Sequence, residues 1–222
     1  MSIKFIYKKL KDDYSLRTFI FGLFSLAASI FLGVFNLYVG FKNNASWNIA
    51  IAPYYFIIAF MRSSLFLFEY KIRKLDHEEK TRRRIMAFII YGILLLIMDI
   101  TLVWPISLIL AKEKSAYSTT ITAIVFATYT FYRIGLAIYN MYKTRSGKYN
   151  LSVRLLKILT FTSALVSLMN LQSILILTFG TYDRDMTILS TVDNAIIWLL
   201  LLAISIITFK NGLKLKKENN DI

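Results

Sequence analysis

Three ionisable side chains, Asp99, Arg133 and Arg62, stand inside long apolar stretches of this 222-residue chain. A charge at the centre of a membrane-spanning helix costs about 2.5–3.5 kcal/mol on insertion scales, so such a residue is expected to face protein or water and to find a partner. Arg133 precedes Lys143 by 10 residues and Asp99 follows Arg84 by 15. At the rise of an α-helix these offsets place the two side chains at depths of roughly 15 and 22 Å from the basic loops. An arginine side chain spans the remaining gap of roughly 7 Å, so Asp99 and Arg133 form a candidate buried pair. Arg62, 9 residues before Lys71, is the second candidate partner of Asp99.

The chemistry this trio suits is recognition of a carboxylate or phosphate, which the planar fork of a guanidinium binds through two parallel hydrogen bonds. Asn36, Asn170 and Gln172 also lie in apolar stretches and could add hydrogen bonds to the same polar interior. A structural role competes with each of these readings. The two arginines could extend along apolar surface towards the interface. Asp99 could tie two spans together, and the amides could link helices rather than contact a ligand.

Other chemistry finds no support. Cysteine is absent, and His77 is the only histidine. Asp76-His77-Glu78-Glu79 lacks the second histidine that a zinc-binding helix needs four residues on, and a solvated helix face is the simpler reading. The 8 glycines are scattered, with no phosphate-cradling G-x-x-x-x-G-K run. No serine in a span is accompanied by a His or Lys at matching depth, as a nucleophile would require. We therefore expect no enzyme, no metal site and no cofactor.

The elements that must position these residues follow from composition. Hydrophobic residues make up 57% of the chain, and charged ones 18%. Six apolar stretches, at about 18–41, 49–68, 85–111, 120–142, 155–179 and 194–209, are each of the order of the ~20 residues that cross a bilayer. Lipid offers no partner for backbone polar groups, so single spans of this kind must be helical. The alternating ten-residue pattern of a membrane β-barrel does not occur. The expected fold is an all-α, polytopic integral membrane protein: one domain of six transmembrane helices. Pro105, six residues after Asp99, should break or kink the third span. Trp104 beside it could line the space so made. Pro53 falls in the first turn of the second span, where proline is inexpensive.

Basic residues set the orientation. Lys4, Lys8, Lys9, Lys11 and Arg17 precede span one; seven more lie between Lys71 and Arg84, five between Lys143 and Lys157, and four from Lys210 onward. The opposite side holds only Lys42, Lys112, Lys114 and Arg184. The positive-inside rule then places both termini in the cytoplasm, here of a bacterial-type plasma membrane. The net charge of +14 is explained by anionic inner-leaflet lipids as partners, without nucleic acid. Ala27-Ala28-Ser29 lies in the middle of span one rather than after it, so that span reads as a retained anchor.

Two further patterns bear on packing. Arg17, Arg84 and Arg154 open the odd spans, while Lys71, Lys143 and Lys214 close the even ones, compatible with three helical hairpins repeated every ~70 residues. Asn36, Asp99 and Asn170 share one register in the odd spans, and Arg62 and Arg133 another in the even spans. The third unit departs from it: the matching position falls near Ser205. Ser25, Ser29 and Gly33 make a small-residue row that lets a second helix approach closely. That helix could belong to the same chain, to a second copy in a homo-oligomer or to a membrane protein partner. The function expected is binding or translocation of a small solute or ion within the bundle; the alternative is a non-transporting assembly, regulatory or partner subunit.

Overall fold

The computed structural model describes residues 14–110, 119–144, 150–179 and 184–220. The basic residues Lys4, Lys8, Lys9, Lys11, Arg145 and Lys148 and the loop residues Lys112 and Lys114 lie outside them. The described chain is helical: α1 (Tyr14–Asn43), α2 (Ser46–Ile72), α3 (His77–Thr101), α4 (Val103–Leu110), α5 (Thr120–Thr144), α6 (Leu151–Phe179) and α7 (Arg184–Asn220). With α3 and α4 sharing one span, six apolar helical segments of 20 to 32 residues are long enough to cross a membrane. The protein is an all-α integral membrane protein.

The helices outrun the apolar stretches. The sixth apolar stretch covers about 194–209, yet α7 runs from Arg184 to Asn220. Lys, Glu and Leu continue a helix readily past the lipid boundary. At the other end of a span, α2 starts at Ser46, ahead of the apolar stretch, so Pro53 lies inside the helix and not in its first turn. Between Glu69 and Arg84, helix resumes after a break of only a few residues. The two residues that bound this segment grip each other: Nε and the Nη2 of Arg84 donate to the two carboxylate oxygens of Glu69, both at 2.8 Å. Arg84 also donates to Asn150 at 2.8 Å, and Ser152 donates to Glu69. This clasp fastens α2, α3 and the start of α6 at the basic end of the bundle.

Pro105 breaks the third span where its ring would strike the carbonyl four residues back, at Thr101. There α3 stops and, after Leu102, α4 begins. Trp104 is 63% exposed and faces outward, so it does not line an internal space.

Helix pairing departs from three consecutive hairpins. The first hairpin forms, α1 on α2. Span three packs on α7 instead of α5, and α5 packs on α6. Among the described residues α5 approaches neither α3 nor α4. The cause is visible at two glycines. A Cβ on Gly92 would lie 2.8 Å from the Phe209 Cα, and one on Gly212 would lie 2.8 Å from the Ile89 Cγ1. Two helices that meet backbone to backbone select each other by the absence of side chains.

The fifth span, α6, occupies the centre and touches α1, α2, α3, α5 and α7. Buried residues fall on all its sides, as in a helix enclosed by others. By contrast, α1 and α5 bury narrow stripes. That of α5 is Ala123, Phe126, Thr130, Arg133 and Ala137, a three-four spacing typical of a two-helix seam. Among the described helices, α6 is the sole neighbour of α5.

Candidate functional site

The buried charges form two separate centres. In the first, Arg62 on α2 is fully buried. One terminal nitrogen donates to Ser25 and, at 3.3 Å, to Ser29, both on α1; the other donates to the Leu159 carbonyl of α6 at 3.2 Å. Its Nε has no partner. Arg133, 6% exposed, donates from α5 to Ser167 at 3.0 Å and to Ser163, both on α6. Its guanidinium carbon lies 5.4 Å from the centroid of the Tyr129 ring. Leu159, Ser163 and Ser167 recur at four-residue spacing, so one stripe of α6 receives both arginines about one to two helical turns apart.

Every acceptor offered to these two guanidinia is neutral. Among the described residues the ion pairs are Arg83–Glu79, Arg84–Glu69 and Lys214–Glu218, and neither Arg62 nor Arg133 has a carboxylate within 4 Å. Two like charges are thus held in the bundle without a counter-charge, an arrangement that costs several kcal/mol per ion unless an anion or water relieves it.

The second centre is Asp99 on α3, also fully buried. Ser205 of α7 donates to its Oδ2 at 2.5 Å, and Oδ1 has no partner. Its backbone carbonyl accepts from the Trp198 indole at 2.8 Å, just ahead of the break before α4. The expected Asp99–Arg133 pair is not formed, and Arg62 does not replace Arg133. Helix rise sets depth and says nothing about which helices are neighbours: α3 packs on α7, across α6 from α5. Asp99 is turned into protein, as its cost demands.

The amides serve as helix links. Asn170 accepts from the Trp47 indole at 2.9 Å and donates to Tyr55 at 3.5 Å, joining α6 to α2. Asn48 donates to Asn36 at 3.0 Å, joining α2 to α1. Gln172 donates to Asp193 at 2.9 Å, joining α6 to α7. The small-residue row faces α2 of the same chain: Ser25 and Ser29 receive Arg62, and a Cβ on Gly33 would sit 3.0 Å from the Phe56 ring.

Of the charged sequence candidates, Arg133 lines a sizeable opening, while Gln172 lines a separate one of about 480 Å³ beside Asp193. Between α1 and α5, which do not touch, a cavity of about 390 Å³ is lined by Gly22, Ser25 and Ala28, by Tyr132 and Arg133, and by Lys157 and Thr160 of the α6 floor. A second cavity of about 430 Å³ continues it away from the basic end, lined by Phe31, Phe35, Ile121, Val125 and Phe126. Ala28 and Tyr129 belong to both. Adjoining there, the two cavities line one mostly apolar cleft whose polar and cationic groups, Ser25, Arg133, Lys157 and Thr160, are confined to the first half, beside Phe21, Phe24 and Leu156. Ser163 and Ser167 are legible in the sequence as a spaced pair of serines, the pattern already noted in span one. Ser205 was marked by its register with Arg62 and Arg133, though not by any role. Lys157 and Tyr129 carry no sequence signal that separates them from their neighbours. No family model, curated protein or solved structure matches the chain.

Proposed function

We propose that this six-span protein binds a small anionic solute at the cleft between α1 and α5, with Arg133 as its principal contact, and that binding there serves passage across or delivery within the membrane. The supporting observation is the pair of buried guanidinium groups whose hydrogen bonds all end on neutral oxygens. A carboxylate or phosphate entering beside Arg133 would exchange serine hydroxyls for charge-assisted bonds roughly twice as strong. Ser25 and Thr160 line the same cavity as Arg133 and add polar groups beside it. With the basic loops in the cytoplasm, the cationic half of the cleft would lie nearer the inner leaflet, as the positive-inside rule favours.

The test is purification in a mild neutral detergent followed by native mass spectrometry for retained anions. The expected result is an anionic species on the wild type that is lost from Arg133→Leu, with both proteins inserted and monodisperse. Equal retention by both would reject the site. Should a second polypeptide co-purify in place of a small anion, the subunit reading would take over.

A further inference from the structure

We infer that the anion is the head of an amphiphile, a single anionic membrane lipid that enters the cleft sideways. This rests on the anion-binding reading above and deepens it by naming the ligand class. Three observations carry it. The cavity at Arg133 and the one at Phe31, Phe35 and Val125 adjoin at Ala28 and Tyr129, so a charged group and a hydrocarbon chain would lie end to end. Between Phe21 and Phe35, α1 covers roughly 20 Å of rise, a large part of the ~30 Å hydrocarbon core. The rims are open: Phe24, Phe31, Val125 and Tyr132 are each more than 60% exposed, so the opening faces the lipid and not only the end of the bundle.

Charge decides among occupants. A second copy of this chain would bring the same cationic face to the cleft, which like charge disfavours. A zwitterionic lipid would bring its own cation towards Arg133. An anionic lipid alone supplies the missing counter-charge together with a tail for the apolar half. The polar half lies on the side of the basic loops, the side on which the positive-inside rule places the anionic inner-leaflet head groups.

The full-length protein in neutral detergent is titrated with three probes under native mass spectrometry: dioleoyl phosphatidylglycerol, dioleoyl phosphatidylcholine and inorganic phosphate. The expected result is one phosphatidylglycerol per chain, preferred over phosphatidylcholine by roughly ten- to a hundredfold, the range of a charge-assisted contact. Arg133→Gln should remove the preference. Val125→Trp alters an exposed position and leaves folding intact; it should weaken phosphatidylglycerol while sparing phosphate. Phosphate binding with no lipid preference, or a lipid preference indifferent to Val125→Trp, would overturn the lipid assignment and leave the anion site standing. Binding of neither anion overturns both. Equal adducts of the two lipids would mark ordinary boundary lipid, and a dimer split by Val125→Trp would mark a self-interface; each overturns the inference.

Discussion

The arginine centre and the aspartate centre solve one problem in opposite ways. Each keeps charge inside the membrane-spanning bundle. Around Arg62 and Arg133, three and two hydrogen bonds respectively go to serine hydroxyls and a carbonyl of other helices, and Arg133 still borders an open cleft. Asp99 is fully buried, with one hydroxyl on one oxygen and a helix break three residues on. A guanidinium can share its donors between scaffold and ligand, whereas this carboxylate is committed to a single neighbour. Burial alone therefore does not mark a binding site; burial at the edge of an accessible space does.

The comparison can be broken by substitution. The largest effect is expected from Arg133→Leu. Anion retention should fall by roughly two orders of magnitude, and α5 should lose about 1.5–3 kcal/mol of anchoring to α6, the usual worth of hydrogen bonds to a charged group. Retention by native mass spectrometry and thermal unfolding in detergent measure the two losses. Ser29→Leu comes next. The new side chain must displace Arg62 from the α1–α2 interface, and overpacking of that kind costs about 1–3 kcal/mol. The melting temperature should drop without a change in oligomeric state; a shift from oligomer to monomer would instead make this row an intermolecular face. Ser205→Ala strips Asp99 of its donor and should cost about 1–3 kcal/mol, with anion binding unchanged. The smallest effect belongs to Asp99→Asn, whose amide oxygen still accepts from Ser205. Anion affinity should stay within about twofold of wild type, well under the tenfold that 1.4 kcal/mol represents. A complete loss of binding in Asp99→Asn would join the two centres into one site.

What could be read from residues alone divides along physical lines. The six spans are legible because hydrocarbon thickness imposes a length, and the break before α4 is legible because Pro105 imposes a clash. The cost of burying Asp99, Arg62 and Arg133 is equally plain. Their pairing is not, because register along a helix leaves open the direction a side chain points and the helix it meets. Gly92 and Gly212 decide that α3 lies on α7, and each glycine by itself looks like any other. The cleft was hidden for a related reason. It is made by two helices that fail to touch, and a gap leaves no mark on either sequence.

One consequence follows from α5 having a single neighbour among the described helices. A Cβ added at Gly135 would meet nothing within 4 Å, so that rod is braced along one seam only. Whatever wedges or tightens the α5–α6 seam must swing the far wall of the cleft as a door leaf turns on its jamb. The four spans beyond α6 need not shift for the aperture to widen.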